Sequence, residues 1–213
     1  MCSRYEAPSR QRLIDAFGVA PEGPSRLDLW PTYSGPFIRG AGEDRDDDQP
    51  YEALSGVFGL LPAWAKDLKL ARRTYNARSE TAADKPSFKA AWKAARHCII
   101  PAAAIYEPDW RSGKAIPTRI ERADGGLMSI AGLWERWKNP EGETIYSYSM
   151  LTINADDHPL MRHYHRPGDE KRMVVILPNG ALRDWLDASP DQSMEFMRQY
   201  PADRLVAEAR PGG

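Results

Sequence analysis

Residues 98–153 read CIIPAAAIYEPDWRSGKAIPTRIERADGGLMSIAGLWERWKNPEGETIYSYSMLTI. Four stretches rich in β-branched, aromatic and other apolar residues, CIIPAAAIYE, AIPTRIER, LMSIAGLWERW and ETIYSYSMLTI, are separated by the polar runs DWRSGK, ADGG and NPEG. The Gly, Asp, Asn and Pro of those runs are turn formers, each for its own backbone reason. Apolar runs bounded in this way are strands. Connections this short join antiparallel neighbours, because a parallel pair needs a crossover of about a dozen residues or more. The stretch therefore predicts an antiparallel sheet.

On its N-terminal side the texture is more helical. Residues 9–17 predict a short helix with Ser9 as N-cap and Leu13, Ile14 and Phe17 on one face. Residues 43–50, EDRDDDQP, are a charge run that predicts a surface loop. Residues 55–61 are an apolar strand candidate. Residues 86–97 predict a helix, with Pro86 in its first turn and Phe88, Ala91, Trp92 and Ala95 sharing a face. On the C-terminal side, residues 158–164 look helical, RMVVILP (172–178) is one more strand, and 181–186 and 191–198 are short helices. The sum is an α+β fold: a mostly antiparallel sheet or open barrel with peripheral helices, as one domain over residues 1–213.

Composition narrows the function classes. Basic and acidic residues number 29 and 30, a net charge of −1, which argues against a broadly basic, DNA-coating protein but leaves room for a local patch. The basic set holds 8 Lys and 21 Arg, and arginine is the better partner for bidentate phosphate contacts. The apolar run at 98–106 holds a proline and is far short of the roughly 20 residues that span a bilayer. The N-terminal MCSRYEAPSRQR has no apolar core of a secretory signal. Only two cysteines occur, Cys2 and Cys98. The expectation is a cytosolic protein, monomeric, without a membrane partner.

Common catalytic signatures are missing. There is no CxxC, HExxH, GxGxxG, phosphate loop or GxSxG. His158, His163 and His165 cluster without a nearby cysteine and read as surface or capping histidines, so neither metal nor cofactor is expected. Cys2 has two readings. It is an incidental terminal residue, or removal of Met1 exposes a 1,2-aminothiol, which traps aldehydes by imine formation and ring closure to a thiazolidine. An α-amine titrates near 7.7–8.0 against about 10.4 for lysine, so roughly a quarter is neutral near pH 7.4. Asn76 to Thr81, NARSET, lacks periodicity and reads as a loop or strand end. Glu107, at the end of an apolar strand with Trp110 near, is a turn residue or a general acid/base on a sheet rim. His163 and His165, just before a strand, are candidate proton shuttles.

Taken together, these pieces resemble the SOS response-associated peptidase (SRAP) family, whose members shield abasic sites in single-stranded DNA by covalent attachment. The matching stretches are Met1-Cys2-Ser3-Arg4-Tyr5, Asn76-Ala77-Arg78-Ser79-Glu80-Thr81, Tyr106-Glu107-Pro108, and His165 ahead of Arg172-Met173. RHCIIPAAAIYEP, AGLWERW and SMLTINAD are similar to family strands in the same order.

The resemblance implies a catalytic set of Cys2 as nucleophile, Asn76 holding the Cys2 end and the opened sugar, Glu107 as general acid/base, and His165 assisting ring opening. It implies that Arg4, Arg78, Trp64 and Thr152 lie on the DNA path, and that self-processing removes Met1. Its partner is single-stranded DNA containing abasic sites. The chain departs from the pattern at Ser3, where Gly is usual, at Pro108 after the glutamate, and in the insert RPGDEK (166–171) between His165 and Arg172. Across that insert His163 is the competing histidine. Two other functions are weighed: a cysteine peptidase or amidase using Cys2 and His165, and a single-strand DNA binding module without chemistry.

Overall fold

The computed structural model describes residues 2–23, 26–42 and 49–210, so most of the expected loop at 43–50 lies outside the described residues. In chain order the strands are β1 (Arg4–Glu6), β2 (Asp28–Leu29), β3 (Ser34–Gly40), β4 (Tyr51–Phe58), β5 (Asn76–Arg78), β6 (His97–Ala102), β7 (Ala104–Asp109), β8 (Ile116–Arg122), β9 (Met128–Lys138), β10 (Thr144–Asn154), β11 (Arg172–Val174), β12 (Ile176–Leu177) and β13 (Leu205–Ala209). They form two sheets. One is open, all antiparallel, in the order β13-β8-β7-β1-β2. In the other, β10-β4-β3-β6-β9 closes into a ring through the β9–β10 pairing, with β5, β11 and β12 added at its margins. Among the described residues only the β4–β10 and β5–β10 pairings are parallel. The α+β expectation holds: the molecule is mainly β, with short helices at the periphery.

The four strands of residues 98–153 form with small changes. CIIPAAAIYE is two strands rather than one. Ala103 breaks it, with its N–H bonded to the Glu6 carbonyl at 2.7 Å, and the chain passes there from the ring (β6) to the open sheet (β7). RMVVILP splits likewise at Val175, whose N–H bonds to Leu151 on β10 and whose carbonyl accepts from Ala131 on β9. One short stretch thereby ties two neighbouring strands together.

Two of the expected helices form at their expected length and three are cut short. The first spans Arg10–Phe17, with the Ser9 hydroxyl accepting from the Arg12 N–H and Gly18 closing it in the left-handed conformation. Leu13 and Phe17 are buried, but Ile14 turns toward solvent. The expected helix at 86–97 is only Lys89–Lys93, because Ala95 takes a positive φ of 48° and His97 is captured by pairing with Leu133 on β9. Residues 158–164 yield one 3-10 turn, Met161–His163, and 191–198 yields another, Ser193–Phe196. The helix expected at 181–186 is Leu182–Asp187.

Aromatic packing joins the sheets. Tyr5 of β1 reaches the Tyr148 hydroxyl of β10 at 2.6 Å and meets Phe58 edge-on at 5.2 Å, while Phe58 and Tyr148 stack at 5.7 Å. Gly35 makes room for this contact: a Cβ there would lie 2.6 Å from the Tyr148 hydroxyl and 3.0 Å from that of Tyr5. The N-terminal strand is thus fixed to the core on both its edges and one face. No helix among the described residues is long and apolar enough to cross a membrane.

Candidate active site

The register of β1 against β7 sets the site. Arg4 pairs with Tyr106 and Tyr5 with Ile105, so two residues further out Cys2 comes level with Pro108, beside Glu107. Cys2 is buried, its thiol donating weakly to the Arg4 carbonyl at 3.4 Å. Burial, and after it the charge of Glu107, push the thiol far above its usual range. The Cys2 carbonyl accepts from Asn76 Nδ2 at 3.0 Å. Asn76 is placed by β5, a three-residue strand parallel to β10, and its amide also donates to the Tyr75 carbonyl at 2.8 Å.

Glu107 is 2% exposed, and its Oε2 lies 3.1 Å from Nε2 of His165. The chain around His165 is held from three directions. Tyr164 bridges Asp109 on β7, the His165 N–H bonds to the Pro108 carbonyl at 3.1 Å, and Lys171 Nζ donates to the carbonyls of His165 (3.3 Å) and Arg166 (2.6 Å). These bonds maintain a φ of 67° at His165, a conformation unfavourable for a residue with a Cβ. Cys2, Asn76, Glu107 and His165 thus form one buried group. His163, in the preceding turn, is only partly buried and sits toward Asp109, whose carboxyl is held low by Arg111 and to a lesser degree by His163.

The remaining expected residues surround this group differently. Arg4 pairs with Asp28 at 2.8 Å and lies over the rings of Tyr106 and Trp30. Arg78, half exposed, pairs with Glu170 at 2.7 Å. Thr152 is not on the surface: it is 1% exposed, its hydroxyl bonded to the Ala77 carbonyl at 3.4 Å and its own carbonyl taken by Arg172 at 2.7 Å. It braces β5 from behind. Trp64 is 55% exposed and lines a concavity with Lys66, Lys69, Arg72 and Arg73 that includes none of the four buried residues. His158 is a buried cap, accepting the N–H groups of Leu160 and Met161 on Nδ1 and so donating from Nε2 to the Tyr200 carbonyl at 2.8 Å. Among the described residues no three His, Cys, Asp or Glu side chains group as metal ligands. Sequence reasoning missed Glu170 and Lys171. Both sit at the end of the insert as an acid–base pair next to Arg172, the only sign of their roles.

This architecture defines a class. The chain belongs to the SOS response associated peptidase (SRAP) family, whose sequence profile matches residues 1–209. A crystal structure of a Bordetella bronchiseptica protein superposes with a TM-score of 0.90 at 52% identity, covering 98% of this chain and 99% of that one. Abasic site processing protein YoqW of Bacillus subtilis is 37% identical over 154 residues, 70% of this chain and 65% of that protein. Abasic site processing protein HMCES of Gallus gallus is 27% identical over 201 residues, 83% of this chain and 58% of that protein. The chain therefore matches less than two thirds of the length of these two abasic site processing proteins.

Proposed function

We propose that this protein, acting as a monomer in the cytosol, captures abasic sites in single-stranded DNA by a covalent thiazolidine at Cys2. The relatives named as abasic site processing proteins supply the substrate class. The observation that carries the reading is the Asn76 hydrogen bond to the Cys2 carbonyl, which pins Cys2 beside the Glu107–His165 pair.

The order of steps follows from the chemistry of the ring, since the sulfur closes onto an imine carbon that the amine has to make first. The Cys2 thiol, raised by burial, stays protonated near neutral pH. The α-amine freed by removal of Met1 is the better first nucleophile. It adds to the aldehyde of the ring-opened sugar, and the carbinolamine loses water to give an imine. The sulfur then adds to the imine carbon while the thiol proton passes to nitrogen, closing the ring. Glu107 and His165 hold and relay the protons for water loss and ring opening. Arg4, Arg78 and Trp64 serve the strand by phosphate contact and stacking. The chemistry requires a reduced Cys2, and both cysteines are free and buried.

The test is incubation with a single-stranded oligonucleotide carrying one abasic site. The expected product is a heat-stable adduct, absent with undamaged DNA, from protein whose intact mass lacks one methionine. Cys2→Ala should leave only an imine that borohydride traps. A full yield of stable adduct from Cys2→Ala without reductant would overturn the reading.

A further inference from the structure

The insert at 166–171 delivers a carboxylate to the residue expected to meet DNA. Glu170 Oε2 lies 2.7 Å from Arg78 Nη1, while its Oε1 accepts from Arg172 Nη1 at 2.7 Å and from Asn154 Nδ2 at 3.3 Å. The two arginines differ. Arg172 is buried at 3% exposure and has other partners: Glu80 on both terminal nitrogens, at 2.9 and 2.8 Å, and the Thr152 carbonyl at 2.7 Å. Arg172 therefore keeps a neutralising partner without Glu170. Arg78 is 49% exposed, and Glu170 is the one acidic partner it has among the described residues.

We propose that Glu170 is an internal competitor for phosphate at Arg78, displaced when a strand binds. This rests on the reading of Arg78 as a phosphate contact. A carboxylate and a phosphate present the same pair of acceptor oxygens to a guanidinium, so one site serves both. The two cannot share it without cost, because a phosphate at Arg78 meets the Glu170 charge at hydrogen-bond range. The Arg172 hydrogen bond keeps the Glu170 carboxyl ionised, so it does not escape by protonation near neutral pH. Bonds to the backbone of Lys171, next in sequence, keep it in place: the Lys171 N–H donates to Asp156 Oδ1 at 2.8 Å, and the Lys171 carbonyl accepts from the Ala155 N–H at 2.8 Å. The pair is partly solvated, with Glu170 at 32% exposure, so it sets affinity rather than blocking the site. The consequence is selectivity. A strand that makes its other contacts displaces Glu170, and an isolated phosphate does not.

The test uses an undamaged single-stranded oligonucleotide and fluorescence anisotropy at low salt, where no covalent step intervenes. Glu170→Gln should tighten binding by about three- to ten-fold, and Glu170→Asp, shorter by one methylene, should give a smaller gain. In an Arg78→Ala background, Glu170→Gln should change affinity by less than about two-fold, and Arg78→Ala alone should lower the log–log salt slope by about 0.7. Weaker binding by Glu170→Gln would overturn the proposal, making Glu170 an orienting partner of Arg78. An equal gain with and without Arg78 would also overturn it, reducing the effect to net charge. Wild-type protein that binds no single strand would sink the functional reading along with this proposal. Wild-type protein that binds and crosslinks, with Glu170→Gln unchanged, would sink this proposal alone.

Discussion

Nε2 of His165 lies 3.1 Å from Oε2 of Glu107, with both side chains nearly closed to solvent. His163, two residues away, makes no such contact among the described residues and is only partly buried. The difference comes from the backbone: the Pro108 carbonyl holds the His165 N–H, and the left-handed φ of 67° turns the chain at that residue.

On the proposed chemistry, proton handling is expected of His165 rather than His163. A positioned general acid/base contributes about 10²–10⁴-fold. His165→Ala should slow adduct formation or its reversal at least ten-fold or so, while His163→Ala should stay within about two-fold of wild type. Single-turnover kinetics on abasic oligonucleotide give the ranking, and the opposite order would reassign the partner of Glu107.

A second prediction concerns pH and stability. His97 is buried, stacked on Trp185 at 4.0 Å and bonded through Nε2 to the Ser193 hydroxyl at 2.9 Å. Burial lowers its pKa from the ordinary 6.5 to about 4. The folded state thus keeps His97 neutral where the unfolded chain binds a proton. Stability is full above about pH 6.5 and is lost as pH falls toward 4, by about 3 kcal/mol over the whole window. Urea denaturation at pH 7 and 5.5 should differ by about 1 kcal/mol from this residue. In His97→Asn that part of the slope should vanish, and an unchanged slope would show that His97 is not its source.

Gly59 supplies a third. Its φ is +124°, and a Cβ there would lie 2.3 Å from the Ala71 carbonyl oxygen and 2.5 Å from the Ala71 Cα. Backbone atoms do not move aside as a flexible side chain does. Gly59→Ala should destabilise by roughly 2–4 kcal/mol, from backbone strain plus overpacking. A melting midpoint within a degree or two of wild type would refute the close approach.

The strands of residues 98–153 were legible because turn formers flank each apolar run, and local chemistry decides where a hairpin bends. β1, β2 and β13 left no such trace. They are two to five residues long, and their partners lie far away in sequence, as Tyr5 with Ile105 or Val206 with Glu121. The helix expected at 86–97 failed at its end for the same reason: His97–Ala102 pairs with six residues of β9, and that long-range ladder outweighs a periodic apolar face. In the site, the sequence pointed to Cys2, Asn76, Glu107 and His165, which the fold gathers. It misplaced Thr152, since a threonine that braces a strand and one that meets a ligand look alike in a string of residues. Glu170 and Lys171 escaped because a charged insert carries no periodicity to say which way its side chains turn.

The position of β1 inside its sheet has a consequence for the order of events at the ribosome. Its two ladder partners are β2, only two residues long, and β7, which begins at Ala104. A pair so short does not hold in water by itself. The seat of Cys2 therefore stays unbuilt until about a hundred further residues have been made, on the order of ten seconds at ordinary translation speed. Throughout that interval Cys2 has neither its ladder nor its burial, and its thiol is open to water and to oxidants that the finished sheet keeps away.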